Sequence, residues 1–244
     1  MHVKAIKTHL IQPDELVESI LDRHLLSISE QTILVITSKI ISICQGRILP
    51  KISVSKEELI KQEADAIIQT RENPYGIYLT LKNNILIPSA GIDESNGDDV
   101  YILYPQDVQN AAITLWNYIR KKHSIEHLGV IITDSHTTPL RRGVTGIALG
   151  WCGFEPLYSY AGKSDLYDRP LRVTQINLLD ALATSAVLVM GEGNEQTPLA
   201  IISDVPKISF LPRPPTPAEE QSILIPMEED LYGPLLMGTT WLKP

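Results

Sequence analysis

Several short stretches of this chain gather residues suited to a triphosphate and a hard cation. Ser38 and Lys39 follow a β-branched run at 32–37 and supply a hydroxyl, an ammonium and backbone donors, which suit phosphate oxygens. Asp134 and Ser135 follow a second apolar run at 128–133, where a carboxylate and a hydroxyl can serve a metal. A third run, 186–190, leads into Gly191-Glu192-Gly193-Asn194-Glu195. The acidic stretch 90–99 is a fourth candidate. Asp93, beside Gly91 and an inward Ile92, is its expected metal ligand; Asp98 and Asp99 are expected to face water, and the whole stretch also reads as a solvated loop. A carboxylate next to a polyphosphate repels it unless a cation lies between. Magnesium takes one or two carboxylates plus phosphate and water, so the charge pattern itself calls for a metal.

These groups need elements to carry them. Residues 3–6 alternate like a strand, and Pro13-Asp14-Glu15 opens a helical pattern with Leu16, Ile20 and Leu25 on one face. The run 32–37 predicts a strand buried on both faces. Ser55 and Glu58 form a capping box that starts a helix through about residue 69. Residues 77–81 and 85–87 flank a turn at Lys82-Asn83-Asn84. A helix is expected over 107–122, a strand over 128–133, a helix over 177–185, and a strand over 186–190. Alternating strands and helices imply an α/β chain with a mixed, partly parallel sheet. In such sheets ligands bind beyond the carboxyl ends of strands, so three strand ends can build one site.

Composition narrows the partners. The formal net charge is −8 and no basic stretch is interleaved with aromatics, which argues against nucleic acid. No run approaches the ~18 apolar residues of a membrane span, and the N-terminus lacks a signal-peptide pattern, so a cytoplasmic protein is expected. Two cysteines, Cys44 and Cys152, are too few for a disulfide framework or a structural zinc site. No G-x-x-x-x-G-K-[ST] occurs. The stretch Gly191-Glu192-Gly193 lacks the third glycine of a dinucleotide fingerprint, with Gln196 in its place. The proline-rich segment from Leu211 cannot continue a central strand, so 1–210 is expected to be the catalytic domain and 211–244 a tail packed on it, with Thr216 capping a short helix.

The strings Thr37-Ser38-Lys39-Ile-Ile-Ser, Ala90-Gly91-Ile92-Asp93-Glu94-Ser95-Asn96, Thr133-Asp134-Ser135 through Pro139-Leu140-Arg141, and Leu188-Val-Met-Gly191-Glu192 resemble, in order, motifs of the coenzyme F-420-0:γ-glutamyl ligases. The resemblance spans roughly residues 5–205. Residues 42–47 and 134–142 look more like a branch described as folate γ-glutamate ligases. The resemblance implies two intimately joined subdomains in an intertwined homodimer, GTP or ATP as co-substrate, and a pair of Mg2+ or Mn2+ ions. Asp93, Asp134, Ser135 and Glu192 would hold metal. Thr8, His9, Leu10, Ile11, Ser38, Lys39 and Asn96 would contact nucleotide, as would Gly191, Gly193, Asn194, Glu195, Gln196 and Thr197.

Lys39, Asp134 and Arg141 are the expected catalytic groups. Arg141, Arg142 or Arg47 would clamp a substrate carboxylate, or else form surface ion pairs. His136 is a candidate base. Ile43 stands where many deazaflavin enzymes have lysine, His136-Thr137-Thr138 replaces a typical Phe-Gly-Arg, and Leu140 replaces Trp. These departures make a folate or pterin the expected acceptor of L-glutamate, with a deazaflavin, or a regulator without turnover, as the alternatives.

Overall fold

The computed structural model describes residues 1–68 and 73–243. The N-terminal elements are β1 (His2–Ile6), α1 (Val17–His24), β2 (Thr32–Thr37), α2 (Ser38–Cys44), β3 (Ile48–Pro50) and α3 (Lys56–Glu63). The middle holds β4 (Ala66–Ile68), β5 (Leu79–Lys82), β6 (Ile85–Pro88), β7 (Val100–Ile102), α4 (Val108–His123), β8 (Leu128–Thr137) and β9 (Val144–Cys152). Then come β10 (Leu157–Ser159), β11 (Gln175–Asn177), α5 (Leu178–Met190), β12 (Leu199–Ser203), α6 (Pro217–Gln221), α7 (Gly233–Met237) and β13 (Trp241–Leu242).

The larger sheet has the order β1-β12-β2-β8-β9, with β2 and β8 parallel and the other neighbours antiparallel. Strand alternation sends Leu34, Ile36, Val130 and Ile132 to one face, where they meet Ile20, Leu21, Leu115 and Trp116 of α1 and α4. Ile33, Val35 and Ile131 face the opposite way, against Leu179, Leu182 and Ala183 of α5. Helices cover both faces, which is why β2 could be written in Thr, Ile, Leu and Val without a polar face.

The smaller sheet, β13-β4-β5-β6, packs with α3 around Leu59, Ile60, Ile67 and Ile92. Asn83 and Asn84 turn the β5–β6 hairpin with φ of 50° and 61°, the left-handed pair that a tight hairpin demands. The C-terminal segment returns to both sheets' neighbourhoods: Leu211 N–H donates to Gly153 O at 2.8 Å, and β13 pairs with β4. No helix among the described residues is long and apolar enough to cross a membrane, and both cysteines are free thiols.

The capping box forms as expected: Glu58 N–H donates to Ser55 Oγ, and Ser55 N–H to Glu58 Oε2, each at 3.2 Å. Ser55→Ala is expected to cost about 1 kcal/mol, read as a lowered denaturation midpoint. The helix stops at Glu63, short of its predicted end, because Asp65 N–H turns to Leu81 O at 2.8 Å and Ala66, Ile67 and Ile68 join the small sheet as β4; residue 69 lies outside the described residues. The first helix also starts late: Leu16 is its N-cap, and is exposed instead of sharing the inner face with Ile20 and Leu25.

The strand expected at 186–190 does not exist. Those residues are the last turns of α5, since Ala186 and Met190 bury themselves at helical spacing while Leu188 is 82% exposed. The large sheet takes instead two strands that the pattern did not show, β9 and β12. Strand β9 ends the sheet, and Gln109 of α4 covers part of its free side: Gln109 Nε2 donates to Trp151 O at 2.8 Å, and Trp151 N–H to Gln109 Oε1 at 3.1 Å.

Candidate functional site

Strand β2 runs into α2 without a loop, so Ser38 and Lys39 occupy the first turn of a helix at a strand's carboxyl end. The parallel register sets Thr37 opposite Thr133, which brings Asp134 beside Ser38. The pairing of β8 with β9 shifts register at Ile132/Thr133, just before Asp134. Ser38 lies against the Asp134 carboxylate, to which Ser135 N–H donates at 2.8 Å. Asp93 arrives from the small sheet through a segment in which Ser89 and Ala90 adopt φ of 52° and 55°. Such left-handed non-glycine backbone persists only where neighbours hold it. Here Ala90 N–H donates to Thr80 Oγ1 at 2.8 Å, and Asp93 exchanges both backbone bonds with Ile102 at 2.9 Å.

The charges interlock. Lys39 Nζ lies 2.7 Å from Asp93 Oδ2 and 3.1 Å from Ser95 Oγ. Burial pushes the Asp93 carboxyl up, but the Lys39 hydrogen bond and charge, with Ser95, outweigh it and leave it below the usual carboxylate range. Asp134 goes the other way: burial, aided by the Asp93 charge, raises it to about 6 despite the bond from Ser135 and the Ser38 hydroxyl beside it. Burial also raises Glu192, against a hydrogen bond from Ser135 and the Lys39 charge. One ammonium therefore serves three carboxylates, two of which hold protons more tightly than usual.

All of this borders a cleft of about 350 Å3. Thr8, His9, Leu10, Ile11, Lys39, Asp93, Asn96, Asp134, Ser135 and the whole Gly191–Thr197 stretch line it. Cross-links brace it: Asn96 Nδ2 donates to Gly193 O at 3.0 Å and Thr8 N–H to Gln196 O at 2.9 Å. Ser38 lies behind the wall and acts through Asp134. His9 turns its ring aside, with Nδ1 at 2.8 Å from His24 Nε2 and Nε2 at 2.8 Å from Glu15. Glu195 bonds Gly193 N–H at 2.8 Å.

Arg141 and Arg142 are exposed on the β8–β9 loop and do not line the cleft, and Arg47 is bound to Glu63 at 2.7 Å. His136 lines a different hollow. Asp98 and Asp99 are exposed. The cleft also uses Ile40, Val187 and Met190, which sequence reading missed; the last two were hidden by the strand expected at 186–190.

The donor set fits a hard divalent cation in kind: carboxylate oxygens of Asp93, Asp134 and Glu192 with the Ser135 hydroxyl, whose mutual repulsion a cation would relieve. Among the described residues no three His, Cys, Asp or Glu side chains converge so as to hold a metal ion by themselves. A hard cation there would need further oxygens from a substrate or water.

A model of the F420-0:gamma-glutamyl ligase family matches residues 5–204. The chain belongs to that family. Among relatives of this ligase family, the coenzyme F420:L-glutamate ligase of Methanocaldococcus jannaschii is 30% identical over 84% of this chain and 86% of its own length. That of Methanopyrus kandleri is 38% identical over 59% of this chain and 56% of its own, and that of Methanothermobacter thermautotrophicus is 36% identical over 51% and 50%. The match thus spans about half the length of the last two ligases.

Proposed function

We propose that this chain is a nucleoside-triphosphate- and divalent-metal-dependent ligase that joins L-glutamate to a γ-carboxylate of a coenzyme F420-type acceptor. The observation that carries it is the meeting of Asp93, Asp134 and Glu192 with Lys39 in one cleft. The relatives' shared name supports a coenzyme F420-type acceptor, the alternative read from sequence, over the folate first expected. Folate or pterin stays as the second reading, because His136-Thr137-Thr138, the main departure from the family pattern, lines a hollow beside the cleft.

A carboxylate is a poor acylating agent. Transfer of the terminal phosphoryl group to the acceptor's carboxylate oxygen releases the nucleoside diphosphate and gives an acyl phosphate. The glutamate amine then attacks the acyl carbon, an amide forms, and inorganic phosphate leaves with the amine proton lost to solvent. Bound cations, held by Asp93, Asp134, Ser135 and Glu192, would supply charge neutralisation. Lys39 adds a fixed positive charge next to Asp93, Ser38 holds the Asp134 carboxylate in place, and the Asn96–Gly193 bond fixes the loop over the nucleotide. ATP and GTP are both within this proposal, as is assembly as a homodimer, which light scattering on the pure protein checks.

The test incubates the protein with ATP or GTP, Mg2+ or Mn2+, glutamate, and either acceptor. A product heavier by one glutamyl residue identifies the acceptor by mass. Triphosphate binding without any heavier product would leave a regulator in place of an enzyme. Lys39→Met is expected to lower kcat/KM for the triphosphate by about 100-fold, since one fixed cation at developing phosphoryl charge is worth roughly 3 kcal/mol. Wild-type kinetics in that variant would remove Lys39 from the phosphate site.

A further inference from the structure

A second hollow, of about 620 Å3, opens where β9, the starts of α4 and α5, the β5–β6 turn and residues 220–225 meet. It begins at His136, next in the chain to Ser135 of the first cleft, so β8 serves both. Ile147, Leu149, Trp151 and Leu224 give it apolar walls, and Asp107, Asp180 and Glu220 give it carboxylates. Among the described residues no Lys or Arg lines it. Tyr104, only 2% exposed, also borders this hollow, and its hydroxyl has no hydrogen-bond partner. Asn83 approaches that hydroxyl without reaching bonding geometry. A buried orphan hydroxyl is costly, and a ligand group that satisfies it gains accordingly.

We propose that this hollow seats the ring end of the acceptor: a flat, uncharged heterocycle whose N–H groups face the carboxylates and which accepts from the Tyr104 hydroxyl. The volume is that of a small-molecule pocket. With carboxylates and no Lys or Arg among its described lining residues, the hollow rejects phosphate or carboxylate groups, so the acceptor's anionic portion lies toward Lys39, where its reacting carboxylate must be. Residues 220–225 lie beyond the family match, which ends at residue 204, and Asn84 Nδ2 ties this wall to the hairpin by donating to Ile225 O at 3.4 Å. The C-terminal segment, outside the family match, thereby forms one wall of the proposed ring site. The inference rests on the ligase reading above.

The test titrates two fluorescent probes without nucleotide: a deazaflavin chromophore lacking phosphate, and a pterin lacking glutamate. The expected result is micromolar binding of at least one, undisturbed by triphosphate, and the tighter probe identifies the ring. Tyr104→Phe, with an unchanged or raised melting temperature, is expected to weaken that probe by about tenfold. Leu224→Trp, which fills the hollow from a partly exposed position, is expected to weaken it at least as much and to raise the acceptor KM without moving the nucleotide KM.

Binding of neither ring, displacement by triphosphate, or unchanged affinity in both variants would overturn the proposal. Those outcomes in a protein that still transfers glutamate sink the ring site alone. Ring binding that both variants weaken, in a protein that transfers no glutamate, sinks the ligase reading alone.

Discussion

Asp134→Asn is expected to leave a folded protein whose glutamate transfer has fallen by roughly 1,000-fold or more, because it removes a charged ligand from the group that faces the phosphates. Its stability should move the other way. The Asp134 carboxyl is raised from 3.8 to about 6 by burial. A group raised in this way favours the fold in its protonated form, fully below its unfolded value, and that advantage is lost as pH climbs through the folded value. Above pH 6 the metal-free wild type therefore carries a cost of up to about 3 kcal/mol that asparagine lacks. The metal-free variant should melt higher than wild type at pH 7–8, with the gap closing toward pH 4. Mg2+ or Mn2+ should then raise the wild-type midpoint by mass action and leave the variant nearly unmoved. Equal metal stabilisation of both, or wild-type turnover in the variant, would take Asp134 out of the metal site.

Gly153→Ala is the substitution expected to damage the fold most. Gly153 has φ of +88°, and a β-carbon there would stand 2.1 Å from Leu128 O and 2.2 Å from Trp116 Nε1. Those two atoms are hydrogen-bonded to each other at 2.8 Å, with Trp116 1% exposed. A methyl group would have to part that bond, push a buried indole, and hold left-handed backbone at once. The sum is about 4 kcal/mol or more, seen as loss of soluble protein or a large fall in the denaturant midpoint. A midpoint within experimental error of wild type would show that the strand end can shift to admit it.

Sequence carried the parts of this fold whose burial is simple. Thr32–Thr37 and the start of β8 are covered on both faces, so the residues between the two threonines and those opening β8 carry no charge or large polar group, and the pattern was unmistakable. Ser55 and Glu58 announce a helix start because the capping chemistry is local. Strand β9 left no such mark. It contains Gly146, where a β-carbon would meet the Ala183 carbonyl oxygen at 2.4 Å, so close packing by α5 erased the residue pattern a strand would normally show. Residues 186–190 misled for the converse reason: a short apolar run with two valines suits a buried strand, but tertiary packing on Ala186 and Met190 made them helix.

In the cleft, Asp93, Asp134 and Lys39 could be named from short strings and strand ends. The aside taken by His9 could not, since it depends on where α1 places His24 and Glu15. Nor could the position of Arg141, which was tied to a motif but sits on a loop turned to solvent.

Gln109 lends Trp151 an amide that answers both its N–H and its C=O. At that point the outermost strand has nothing left to offer a stray backbone, and one side chain closes that part of its rim in place of a further strand. Replacing that amide by leucine would bare a matched donor and acceptor, and the rim would become adhesive toward any unfolded chain nearby.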